Sequence, residues 1–170
     1  MARRLLATSV EVVLALLLAL AACAPTYDDT ADKMLVSLQQ QTDDGLIKLE
    51  TLAQQVQAYQ SAPSNDPAAK KALADAQAKL TYAANIEWYA SVLSALTALE
   101  ARMTASPDFS SSSISDSLAK IRENIELFQA QHARANTVTA STAKTARQIL
   151  DQQFKALTVY IVTLKSGKKA

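Results

Sequence analysis

Two glycines, Gly45 and Gly167, are all that the 170 residues contain. Tight turns draw on glycine and sheets need tight turns, so a chain this poor in it, yet rich in Ala, Leu, Gln and Lys, points to long helices joined by a few loops. Histidine occurs once, as His132, which excludes a metal site built from several histidines. Neither sign of charge is in surplus, with 17 basic against 16 acidic side chains, and that balance is unlike a nucleic-acid binder. Long apolar runs are missing too. From Val12 to Ala22 every residue is Val, Leu or Ala, but a spanning helix needs about 20 apolar residues, and extending this one backwards meets Glu11, Ser9 and Thr8.

The short run has a different use. Arg3 and Arg4 precede it, and charge followed by an apolar stretch is the layout of an export signal. It ends in Leu20-Ala21-Ala22-Cys23, which resembles a lipobox, the sequence recognised by bacterial lipoprotein signal peptidase. The small Ala21 and Ala22 admit the chain to a protease site, and Cys23 supplies a soft, easily alkylated side chain. The resemblance covers residues 1–23. It implies a diacylglyceryl thioether on Cys23, cleavage before it, acylation of the new amino group and anchorage on the periplasmic side of a membrane. Ala24 after the cysteine favours the outer membrane in a diderm host. Two or three acyl chains make a stable anchor. Arg3, Arg4 and Glu11 fall in residues 1–22, so residues 23–170 keep 15 basic and 15 acidic side chains. With Cys23 lipidated no thiol remains for a disulfide or a thiolate metal site.

Residues 23–170 are enough for one domain with a real core. Thr26 to Asp29 reads as a capping box that opens a first helix at about 27–60. Its seam, Ala31, Leu35, Leu38, Thr42, Gly45, Leu49, Leu52, Val56 and Tyr59, alternates steps of four and three, the spacing of bundle packing. Thr42 and Gly45 mark either a close crossing or a kink. After the loop "SAPSND", Asp66 as N-cap and Pro67 at the first position start a second helix at about 67–104. Its inner face runs Leu73, Ala76, Leu80, Ala83, Ile86, Tyr89, Val92, Leu93, Leu96, Leu99 and Met103. The small residues at its start predict a slimmer end of the bundle.

A third helix at about 113–135, opened by a capping box from Ser113 to Asp116, carries the stripe Ile114, Leu118, Ile121, Ile125, Phe128 and His132. A fourth at about 140–165 carries Ala143, Ala146, Leu150, Phe154, Leu157, Ile161 and Leu164, with Thr139 as N-cap and Val138 stapling onto Ala143. The competing reading joins these two into one helix, since their stripes stay in phase. That helix would reach roughly 78 Å against roughly 51 Å for the first, leaving apolar turns uncovered. The expected fold is therefore all-α, an antiparallel four-helix bundle, with three long helices as the alternative.

Chemistry-bearing constellations are scarce. His132 on its seam reads as a hydrogen-bonded core or rim histidine, and a haem held by His132 with Met34 or Met103 is the bolder reading. Asp28/Asp29 and Asp43/Asp44 are adjacent pairs that point in different directions on a helix. Glu87, beside Trp88 and Tyr89, reads as solvated or paired. Trp88 projects about 100° from Tyr89, so the two are expected not to share a core, and an exposed Trp88 is the candidate partner contact. Gly167 ends the last helix and Lys165 complements its dipole. In an up-down-up-down bundle Lys165, Lys168 and Lys169 return to the lipid end, where they face headgroups. The expected function is non-catalytic: a lipid-anchored envelope protein serving as a structural or protein-interaction module, with no metal, no cofactor beyond the lipid on Cys23, and another envelope protein as partner. The alternative is a bundle that binds a small apolar ligand or haem.

Overall fold

The computed structural model describes residues 29–61, 65–105 and 112–166, and the sequence-predicted capping box at Thr26 lies outside them. The described residues form helices and no strand: α1 Asp29–Ser61, α2 Pro67–Lys79, α3 Ile86–Ala105, α4 Ser112–Ala135 and α5 Ala140–Lys165, with a 3-10 turn Ala83–Asn85 ahead of α3. The fold is all-α, as expected.

Local chemistry explains most boundaries. Asp66 Oδ1 accepts from the Ala68 amide at 2.9 Å while Pro67 takes the first helical position, so two donors that a helix start leaves unpaired are dealt with. Thr139 Oγ1 accepts from the Thr142 amide at 3.1 Å, and Val138 is buried together with Ala143, which is the cap and staple expected at the start of α5. Asn136, at φ 51°, is the non-glycine residue with positive φ among the described residues; asparagine tolerates that left-handed turn better than most. It separates α4 from α5 and sets aside the continuous-helix alternative.

α1 runs unbroken through Gly45. Ala31, Leu35, Leu38, Thr42 and Leu49 are buried as expected, whereas Leu46 and Ala53 take the places given to Gly45 and Leu52. A straight helix at 3.6 residues per turn drifts off a 3.5-residue seam, and these exchanges are that drift. Buried Thr42 donates its hydroxyl to the Leu38 carbonyl at 2.7 Å. In α4 the entire stripe from Ile114 to His132 is buried, and in α5 so are Ala143, Leu150, Phe154, Leu157 and Ile161. Each fully buried aliphatic side chain contributes about 1.5–3 kcal/mol.

The second helix is corrected by the structure. It is not continuous over 67–104 but interrupted from Leu80 to Asn85. Leu80 and Tyr89, nine residues apart, would stand about 180° apart on an unbroken helix, yet they are 2% and 0% exposed. The interruption shifts the phase so that both are inside. Ala83 and Ile86, counted on the inner face, are exposed in consequence.

Long-range contacts give the arrangement. α1 packs on α2, α3 and α5, and α4 closes the ring between α3 and α5. Glu100 and Thr97 of α3 meet Arg122 of α4, while Tyr89 near the start of α3 meets His132 near the end of α4, so these two run antiparallel. Arg147 of α5 holds Glu50 at 3.1 Å and reaches Asp43 at 4.0 Å on α1. Such partly exposed pairs add at most about 1 kcal/mol each, and they fix which faces meet. The α4–α5 turn reaches the level of Tyr82, whose amide donates to Asn136 Oδ1 at 3.1 Å. Beyond that level the end of α1 packs with α2 as a helical hairpin, the slimmer end expected from the small residues of α2.

Candidate functional site

The interruption between α2 and α3 brings together two of the buried polar side chains, Asn85 and His132. Breaking a helix strands carbonyls and amides that have no water to turn to. Asn85, 3% exposed, donates from Nδ2 to the carbonyls of Lys79 at 2.8 Å and Thr81 at 2.9 Å. Asn136, from the α4–α5 turn, receives the Tyr82 amide, and Gln129 Nε2 of α4 donates to the Tyr82 hydroxyl at 2.9 Å.

His132 completes the set. Its Nε2 lies 2.7 Å from the Leu80 carbonyl and its Nδ1 lies 2.9 Å from the Tyr89 hydroxyl. A carbonyl only accepts, so Nε2 carries the hydrogen; in the neutral ring Nδ1 is then bare and accepts from Tyr89. Burial lowers the His132 pKa from its ordinary 6.5, and the Leu80 carbonyl offsets part of that by favouring the charged ring. Burial raises the Tyr89 phenol, with Tyr82 adding to the shift. Tyr82, Tyr89 and Phe128 surround the imidazole at centroid distances of 5.8, 5.9 and 6.4 Å. The arrangement holds a neutral histidine in place by both nitrogens, in keeping with the hydrogen-bonded core reading. An axial bond from His132 to haem iron would have to displace one of these two partners.

Trp88 differs from its expected place. It is half-buried, its Nε1 donates to the Gln41 carbonyl of α1 at 3.1 Å, and its ring lies 4.5 Å from that of Tyr89. The indole covers Gly45, where a Cβ would overlap its ring. The close crossing foreseen at Gly45 is thus made by Trp88, which is half-buried rather than fully exposed. The 100° offset places Trp88 against α1 on the flank of the core, adjoining Tyr89 rather than opposite it. Glu87 is exposed. Met34 is half-buried and Met103 buried near the other end of α3, about 21 Å along the helix from Tyr89.

Cys23, Leu20, Ala21, Ala22 and Ala24, like Lys168 and Lys169, lie outside the described residues; Lys165 is the last residue of α5. Two open grooves flank α5. One, of about 290 Å³, lies against α1 over Val36, Leu46, Leu150 and Phe154. The other, of about 310 Å³, lies against α4 over Phe128, Ala146 and Leu150, with Leu127 and Ile149 on its margins. Leu127 is 54% and Ile149 41% exposed. Among the described residues no group of three metal-ligating side chains occurs and no helix is long and apolar enough to cross a membrane.

The polar junction was missed from sequence because "LTYAAN" holds neither Gly nor Pro. A signal was present in the spacing: Leu80, Ala83, Ile86, Tyr89 and Val92 are four successive steps of three, and each turns the stripe by about 60° on a regular helix. No such stripe stays on one face.

Compared with models of known protein families, with curated proteins and with solved structures, the chain matches none.

Proposed function

We propose that the protein is a lipid-anchored, non-catalytic module of the bacterial cell envelope that holds or contacts another envelope protein. The observation that carries this reading is the order Arg3-Arg4, apolar Val12–Ala22 and Leu20-Ala21-Ala22-Cys23, with acylation at Cys23 supplying the anchor. The fold is compatible with it. α1 begins at Asp29, six residues after Cys23, so the span between lipid and bundle is at most about 21 Å. Since α5 runs antiparallel to α1, its end at Lys165 returns to the side where α1 starts. Lys165, Lys168 and Lys169 there would each add about 1 kcal/mol on an anionic leaflet. By the Ala24 rule the outer membrane is the destination in a diderm host.

With Trp88 half-buried against α1, the α4–α5 groove becomes the favoured partner surface: apolar Phe128, Ala146 and Leu150 alternate in its lining with polar Asn124, Gln131 and Thr145, and Leu127 and Ile149 stand exposed in it. Exposed apolar side chains grouped about a groove mark contact sites more often than scattered ones do. Crosslinking in cells from the anchored protein, compared with Leu127→Glu, tests the reading. A defined envelope protein captured by the first and lost with the second, at unchanged helix content and cellular level, is expected. Equal capture by both would remove the groove from the proposal, and a tightly bound small molecule in the native protein would replace the interaction reading with the ligand-binding one.

A further inference from the structure

Most side chains that bridge the interruption between α2 and α3 keep the same charge at any ordinary pH; His132 does not. Its acceptor, the Leu80 carbonyl, is the group that the Ala84 amide would take in an unbroken helix, and Ala84 donates instead to Thr81 Oγ1 at 3.3 Å. One imidazole therefore ties the end of α2 to α4 and, through Tyr89, ties the start of α3 to the same point. We propose that His132 is an acid-sensitive latch whose protonation loosens the α2–α3 junction from α4 and frees the α1–α2 hairpin end of the bundle. The inference stands on the junction alone and does not depend on where the protein resides.

The ionisable groups facing the ring are the phenols of Tyr82 and Tyr89 from the interrupted member. Phe128 flanks it from its own helix. The charged groups that α1 and α5 place between themselves, Asp43, Glu50 and Arg147, are engaged with one another. Burial lowers the His132 pKa and the Leu80 carbonyl works against it. When Nδ1 gains a proton, the Tyr89 oxygen must accept where it had donated. The phenolic hydrogen then has to turn away from Nδ1, into surroundings that include the rings of Trp88 and Phe128. A buried cation without a counter-charge is strongly disfavoured.

The folded state binds the proton less readily than the unfolded chain, so the junction is fully secured above the ordinary value of 6.5 and loses stability as pH falls from there towards the lower folded-state pKa. Across that window the closed-to-open ratio drops by up to about tenfold per pH unit.

The chain carries its own reporters, a single histidine and a single tryptophan, and Trp88 touches Tyr89. In the purified full chain in detergent micelles, the imidazole proton resonance and the Trp88 emission maximum are followed from pH 8 to pH 5. The latch predicts imidazole titration below 6.5, a red shift of Trp88 with the same midpoint, and no such shift in His132→Gln. An emission maximum that stays fixed while the imidazole protonates, or a shift that persists in His132→Gln, would overturn it. Should the variant fail to fold, amide exchange in the wild type decides, corrected for intrinsic rates. Faster exchange at Leu80–Asn85 at the lower pH with unchanged exchange in the centre of α5 supports the latch, and a uniform change across both contradicts it.

Discussion

Gly45 sits in the interior of a 33-residue helix, where glycine is a poor choice by about 1 kcal/mol relative to alanine. What it permits is the approach of Trp88, whose indole occupies the space a side chain would need and whose N–H reaches the Gln41 carbonyl four residues earlier. Two effects of opposite sign thus meet at one atom. In Gly45→Ala the gain in helix propensity is outweighed by displacement of a half-buried tryptophan, for which about 1–3 kcal/mol is the usual cost of overpacking. Urea denaturation should show a net loss of stability. In a Trp88→Leu background the same substitution should be neutral or stabilising, a non-additivity expected of residues in contact. A simple sum of the two single effects would mean that the crossing is not what keeps residue 45 a glycine.

At the scale of elements, the interruption between α2 and α3 is held by one side chain of its own, Asn85, and by His132, Gln129 and Asn136 from far along the chain. Asn85→Ala strands two carbonyls, those of Lys79 and Thr81, and should cost about 2–3 kcal/mol, because buried polar groups left without partners lose their full solvation. Thr139→Ala removes a solvent-facing cap from α5 and should cost about 1 kcal/mol. Equilibrium denaturation of the two variants gives this ranking directly, and a smaller loss for Asn85→Ala would show that water already serves the junction. The difference between these two sites also says why one was legible in the sequence and the other was not. Thr139 acts on its own first turn, through residues three positions away, so "NTVTAST" contains its reason. The stripes of α4 and α5 were readable likewise, since every turn faces one core. Leu80 and Tyr82 depend on His132 and Asn136, 52 and 54 positions away, and nothing local announces partners so far along the chain. Trp88 was misplaced for a related reason. Its angle on the helix was right, but a helix in a bundle has flanks covered by neighbours, and only the small residue at Gly45 indicated that α1 would come close enough to cover it.

The described residues form a ring of packed helices, with α3 antiparallel to α4 and the α1–α2 hairpin at one end. Its near-neutral charge after residue 22 gives it no net electrostatic pull on nucleic acid. A bundle tied by acyl chains at Cys23, with α1 starting at Asp29 and α5 ending at Lys165, would present its α4–α5 groove and its hairpin end away from the bilayer surface. That picture rests on Cys23 more than on any other residue. The most direct measurement is the intact mass of the protein taken from bacterial envelopes. The anchored form predicts a chain beginning at Cys23, heavier by a diacylglyceryl group and an amide-linked acyl chain, together with accumulation of the uncut, unacylated precursor for Cys23→Ser. A wild-type protein cut elsewhere, or one beginning at Cys23 with a free thiol, would contradict it.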